Sequence, residues 1–292
     1  RVVGRLNEDQ GIYYVVPDNK YLTHDFLIPK EHLADANPGQ IVVVEILEHP
    51  SRSRDPIGRV AEVLGEHLAP GMEIEVAIRS FDLPDKWPET VEKEIQRWGR
   101  HIPDEAREGR QDIRHLPLVT IDGEDARDFD DAVYCEPVKI GRSTGFRLIV
   151  AIADVSHYVK PNDAIDVDAL ERSTSVYFPR RVIPMLPEKL SNGLCSLKPL
   201  VDRLCMVCDM IIDLDGEIQA FQFYPAVMHS HARFTYTEVA TILANTKGSE
   251  ARKHADLLEP LLNLHGVYRS LLKARQRRGA VDFETTETQI VS

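Results

Sequence analysis

The sequence predicts an α+β chain in which a small closed β-barrel precedes a mixed α/β domain. Three observations carry this reading. Residues 1–80 hold short apolar segments separated by turn signals. Residues 118–133 join two apolar runs through a loop crowded with aspartates. The last third alternates long β-type runs with helical apolar periodicity.

A chain of 292 residues suggests about two domains, and a hydrophobic fraction of 43% is ample for real cores. No apolar run approaches the length of a membrane-spanning helix. The chain opens on Arg1 rather than Met, which predicts a piece of a longer protein. Four cysteines make no disulfide framework at this size, so reduced thiols and a cytoplasmic location are expected. The formal net charge of −12 is the wrong sign for a simple nucleic-acid binder. Local patches decide phosphate contact, however. Three basic clusters stand out: Arg52, Arg54 and Arg59; Arg97, Arg100, Arg107, Arg110 and Arg114; and Arg269, Lys273, Arg275, Arg277 and Arg278. Each alone reads as a solvated face.

In the first 80 residues, apolar segments at 2–6, 11–17, 26–29, 41–47, 57–64 and 72–79 are punctuated by Pro17-Asp18-Asn19, Asn37-Pro38-Gly39 and Ala69-Pro70-Gly71. Closing such strands into a barrel removes exposed edges. Alternation sends one of Tyr13 and Tyr14 inward and leaves the other able to stack on a base.

Residues 81–115 read as a helical connector. Pro84, Trp87 and Pro88 stop the strand pattern. Thr90 is the expected N-cap of a helix to about Arg100, and Pro103-Asp104-Glu105 opens a second short helix. Trp98 is expected to pack the connector on a neighbour.

From residue 116 the second domain begins, and residues 116–292 are assigned to it. The run L-V-T-I-D-G-E-D-A-R-D-F-D-D-A-V reads as strand, loop, strand, with Asp122, Asp128, Asp130 and Asp131 at one end of a sheet. In the second strand Asp128 and Asp130 would share a face, with Asp131 opposed. Such carboxylates raise one another's pKa until one protonates or a cation arrives. Hard oxygen donors without nearby His or Cys favour Mg²⁺, with Mn²⁺ the alternative, over zinc. An EF-hand loop is excluded by spacing, and an Asp-nucleophile phosphatase would need D-x-D-x-T, which D-F-D-D-A does not offer.

A strand follows at 146–155, with Asp154 at its end in a structural role. A helix is expected at 164–172 with its acids exposed. Residues 174–179 carry Tyr177, which on pattern alone reads as core. Cys205 and Cys208 lie on a strand facing opposite ways, so they make no zinc site with His229 and His231. That strand turns through D-L-D-G-E into F-Q-F-Y as a hairpin. Helices are expected at 236–243 and 251–275, and a strand begins after Gly279.

The acidic run resembles the signature of the ribonuclease II/ribonuclease R family of exoribonucleases. The likeness continues through L-I-V-A-I-A-D-V (148–155), T-S-V-Y-F-P (174–179), I-P-M-L-P (183–187) and L-S-N-G-L-C-S-L (190–197). The resemblance implies that G-I-Y-Y-V-V-P-D belongs to a cold-shock OB-fold barrel that guides RNA. It implies that residues 116–292 are the N-terminal part of a ribonuclease II-type catalytic domain. Asp122, Asp128, Asp130 and Asp131 would then be catalytic and hold Mg²⁺. Tyr177 and Phe283 would clamp the terminal bases of a single-stranded RNA, or of a structured RNA with a 3′ overhang. The implied activity is processive 3′-to-5′ hydrolysis releasing nucleoside 5′-monophosphates, by a monomeric protein. The family's further acid, its arginine and an S1 domain would fall after Ser292. This leaves open a second reading, in which the chain alone is a catalytically incompetent RNA-binding fragment.

Overall fold

The computed structural model describes residues 1–51 and 54–281. They form two compact units, one comprising residues 1–87 and 176–183, the other residues 88–175 and those from 184 onward.

The first unit is built on a five-stranded closed barrel. Strands β1 (Val2–Asp9), β2 (Ile12–Pro17), β3 (Phe26–Ile28), β4 (Gln40–Glu48) and β5 (Ile57–Glu66) run in the order β1-β2-β3-β5-β4, and β1 pairs with β4 to close it. The expected barrel is therefore present, with one correction. Residues 72–79 form no sixth strand but the helix α1 (Met72–Ser80). M-E-I-E-V-A-I alternates like a strand, yet a closed barrel offers no edge to pair with. Gly71, at φ 85°, instead turns the chain into a helix with Glu73 and Glu75 in its first turn and Arg79 in its last, as the helix dipole favours. Met72 then packs with Val3, Ile41 and Val43, covering an apolar patch outside the main barrel core. That core holds Leu6, Val15, Phe26, Ile28, Val42 and Val44. Tyr13 packs against it, whereas Tyr14 turns to a recess shared with His24, Asp25 and Asp55. Alternation is obeyed.

The second unit centres on a seven-stranded sheet. In chain order its elements are α2 (Glu89–Ile95), β6 (Gln111–Asp112), β7 (Val119–Asp122), β8 (Asp131–Ile140), β9 (Ser143–Ala153), α3 (Val155–Tyr158) and α4 (Ala164–Arg172). The short strands β10 (Val176–Tyr177) and β11 (Val182–Ile183) then pair as a hairpin belonging to the first unit, where Arg181 bonds Glu75. Next come β12 (Arg203–Asp213), β13 (Ile218–Met228), β14 (Ala232–Thr235), α5 (Tyr236–Ala244), α6 (Ser249–Lys253) and α7 (Leu258–Arg277). The strand order is β14-β7-β8-β9-β12-β13-β6, antiparallel in the middle and parallel at both margins. Overall this is the mixed α+β architecture expected.

Local expectations need adjustment. α2 starts after Pro88, so Thr90 lies inside its first turn and caps nothing. The single helix expected at 251–275 is split into α6 and α7 by residues 254–257. Asp168 on α4 is buried, not exposed, and accepts a 2.6 Å bond from Arg172. α7 lays Leu264, Val267 and Leu271 on Cys135, Leu148 and Ile212 of the sheet. The β12–β13 turn comes so close to it that a Cβ on Gly216, at φ 81°, would overlap the Ser270 carbonyl.

Candidate active site

The first half of β7, Val119 and Thr120, is buried, so the strand is anchored in the sheet and delivers Asp122 at its end. Asp122 stands beside Thr235 of β14, and β7 meets β8 at the pair Val119–Val133. Residues 123–130 are a loop rather than the start of a strand. This corrects the placement of Asp128 and Asp130: both stand on the loop, and only Asp131 opens β8. The reason lies in pairing. β8 takes its register from β9, beginning at Asp131–Ile152, and strand alternation stops there.

What holds the loop is contact from both sides. Phe129 is buried, and its N–H donates to Ser196 Oγ at 3.1 Å. The Ser196 hydroxyl donates in turn to the Arg127 carbonyl at 3.1 Å. The Phe129 carbonyl accepts from Leu197 N at 2.8 Å, and the Asp130 carbonyl from Ala153 N at 2.8 Å. From β14, Arg233 Nη2 donates to the carbonyls of Gly123 (2.6 Å) and Glu124 (3.0 Å), and its guanidinium lies 5.6 Å from the Phe129 ring centroid. Thr237 Oγ1 donates to Glu124 Oε1 at 2.7 Å.

The four aspartates are brought within electrostatic reach of one another. Burial raises the pKa of Asp122, and the charge of Asp131, then those of Asp128 and Asp130, push it further, against the pull of Arg233. Asp130 has a solvent-exposed side, yet protein crowds it closely enough that burial again comes first, followed by Asp128 and Asp131. Asp122 Oδ2 is buried with no hydrogen-bond partner. Among the described residues, no group of three or more His, Cys, Asp or Glu side chains is already gathered into a ligand shell. The set is a cluster of hard anionic oxygens in mutual repulsion, one of them an orphan, and a hard divalent cation fits that donor chemistry.

Of the other candidates, Tyr177 is two-thirds exposed and belongs to the barrel unit. Phe283 lies outside the described residues, as does Arg52. Asp154 accepts from Arg110 Nη2 and Ser156 Oγ, both at 2.6 Å. Burial alone would raise its pKa, and these two partners together hold it low, so it is a structural ion-pair member. The basic run 97–114 is largely spent in the same way: Arg107 and Arg114 both reach Asp202, and Arg114 also grips Asp112. Lys273 and Arg277 at the end of α7 pair with Asp215, and Arg277 also with Glu217. Cys205 is fully buried on β12. His229 faces Asp202 and His231 the Arg114 carbonyl, each away from a shared site with the cysteines. Trp98 packs edge-on against Tyr158 at 5.0 Å.

Sequence reasoning missed Ser196, Arg233 and Thr237. Thr235 and Glu238, which form a complete capping box on α5, were the signal for a short strand ending at 235.

Comparison with known proteins shows what the chain resembles. Residues 110–292 match the RNB domain family and residues 14–88 the cold shock domain family. The chain is 54% identical over 291 residues to ribonuclease R of Vibrio parahaemolyticus and 49% identical over 291 residues to that of Escherichia coli. All of the chain is covered in both matches, but only 34% and 35% of those relatives, so it spans about a third of their length. The solved structure of Mycoplasma genitalium RNase R in complex with double-stranded RNA superposes with a TM-score of 0.90 at 29% identity, covering 100% of this chain and 51% of that one.

Proposed function

The chain belongs to the ribonuclease R family, whose RNB and cold shock domains it carries, and from this premise we propose that the whole protein is a Mg²⁺-dependent, processive 3′-to-5′ exoribonuclease. What supports the proposal is that Asp122, Asp128, Asp130 and Asp131 lie within electrostatic reach of one another where β7 leaves the sheet and β8 enters it. A phosphodiester brought there would meet four carboxylates, and the guanidinium of Arg233 beside them is committed to loop carbonyls, so hydrolysis requires a further cation that these carboxylates hold. Mg²⁺, or Mn²⁺ in its place, would supply the charge neutralisation and polarisation of the phosphate that the side chains lack.

The chain's own residues do the rest. Ser196, Leu197, Ala153 and Arg233 fix the loop that presents Asp128 and Asp130. Tyr177, exposed on the barrel unit, offers its ring to a base near the 3′ end, and the barrel guides single-stranded RNA, including the 3′ overhang of a structured one, with Tyr14 as its outward ring. Water adds to the phosphorus as the 3′-oxygen of the preceding nucleotide departs, which releases a nucleoside 5′-monophosphate. The four cysteines are unpaired, which suits a cytoplasmic enzyme, and no described helix is long and apolar enough to cross a membrane. The protein works as a monomer in this reading.

The test uses the complete protein with 5′-labelled single-stranded RNA and added Mg²⁺. Nucleoside 5′-monophosphates should accumulate while the labelled end survives in a short final fragment. Release of the label first, or of nucleoside 3′-phosphates, would overturn the assignment.

A further inference from the structure

Arg233 is an unusual neighbour for a cation site. Its Nη2 bridges two consecutive carbonyls of the acidic loop, Gly123 and Glu124, at 2.6 and 3.0 Å, and its guanidinium lies over the ring of Phe129. Its Nε is buried and without a partner. The loop itself offers little internal support, with one main-chain bond of its own, Ala126 N to Gly123 O at 3.3 Å. Arg233 therefore grips both the start of the loop and, through Phe129, the segment that carries Asp128 and Asp130.

Electrostatics argue against placing it there. A fixed guanidinium near Asp122 repels an incoming divalent ion and weakens the pull of the carboxylates. A role as mere countercharge would thus cost metal affinity. We propose that Arg233 is a positioning residue for the cation site, pinning loop 123–130 so that the carboxylates of Asp122 and of the loop converge on one ion. The inference rests on the cation site proposed above. It gives the two effects of Arg233 opposite signs, and positioning outweighs repulsion. Outer-shell partners that orient metal ligands typically contribute roughly 10–100-fold in affinity. A lysine keeps the charge but has no planar fork to span two carbonyls while lying on a ring.

The experiment measures Mn²⁺ affinity of the complete protein by electron paramagnetic resonance for the parent, Arg233→Gln and Arg233→Lys. Hydrogen exchange is followed at the amides of 124–130 and of β9 and β12. Positioning predicts that both variants bind Mn²⁺ on the order of 10-fold or more weakly. It also predicts faster exchange confined to the loop. Tighter Mn²⁺ binding by the Gln variant, or parental affinity in the Lys variant, would show Arg233 to be only a charge and overturn the inference. So would exchange that rises equally across β9 and β12, which marks a general fold role. A parent protein that binds no Mn²⁺ would instead sink the cation-site reading itself.

Discussion

The Ser196 hydroxyl sits between two main-chain groups of the acidic loop, accepting from Phe129 N–H and donating to the Arg127 carbonyl, both at 3.1 Å. Ser196 is fully buried, and its own carbonyl accepts from Arg203 Nε at 2.8 Å. The Arg203 guanidinium, buried at 4% exposure, also donates to the carbonyls of Gly193 and Asp202. A chain of buried bonds thus runs from β12 to the backbone beside Asp130. Ser196→Ala strands a buried donor and acceptor, at about 1–3 kcal/mol. The expected result is a lower midpoint in urea and a higher Mg²⁺ requirement for activity, with RNA affinity unchanged.

Asp130→Asn should abolish cleavage while RNA binds as tightly as before or more tightly. Removing one charge weakens the hold on the cation and relieves repulsion of phosphate. Losing metal-based stabilisation of several kcal/mol corresponds to roughly 10³-fold or more in rate. Gel shift and cleavage assays on one preparation decide it, and cleavage near the parental rate would rule out Asp130 as a ligand.

Tyr177 is 68% exposed, so Tyr177→Ala should leave stability within about 0.5 kcal/mol. In the complete protein it should change the length of the final undegraded oligonucleotide, since one lost stack costs roughly 1–3 kcal/mol. Longer substrates, held elsewhere as well, should bind nearly as before. A marked fall in melting temperature with an unchanged end product would make Tyr177 a core residue after all.

Asp209 on β12 gives a pH prediction. Burial alone would raise its carboxyl, but Arg147 donates to both its oxygens, the shortest bond being 2.7 Å, and holds the pKa below the ordinary range. Gln222 and Tyr224 add to this. A depressed folded-state pKa stabilises fully above the unfolded value of about 3.9, and the contribution is lost as pH falls through the lower folded value. Asp209→Asn should therefore cost about 1–3 kcal/mol at neutral pH, and the gap between parent and variant should close below about pH 4. Urea melts at a series of pH values would show it; a gap that stays constant into acid would exclude the ion pair as its source.

The parts of the fold written in local pattern were legible. Turn residues between apolar segments gave the barrel strands, and the D-L-D-G-E turn gave the β12–β13 hairpin. Where alternation was ambiguous, tertiary context decided. Met72–Ser80 alternates like a strand, but a barrel already closed by β4 and β1 turned it into a helix. Asp128 and Asp130 looked like strand residues because they abut β8, and pairing with β9 starts one residue too late for them. The supports of the site were hidden for a different reason. Ser196 and Arg233 are 67 and 110 residues from the atoms they bond, and nothing in a local window reports such distance. The carboxylates could be read from the motif, but not what holds them in place.

The parallel pairing of β14 with β7 also has a consequence for synthesis. The loop carbonyls at 123 and 124 wait for a side chain 110 residues downstream of the first of them. At elongation rates of about 5–20 residues per second, that is an interval of roughly 5–20 s. During it β7 has no β14 neighbour, and the acidic loop lacks the guanidinium that bridges its first carbonyls. A polypeptide built in this order emerges with its acidic loop still unpinned. The long sequence separation that slows such a sheet's folding therefore also delays the fixing of the acidic loop until well after its aspartates have been made.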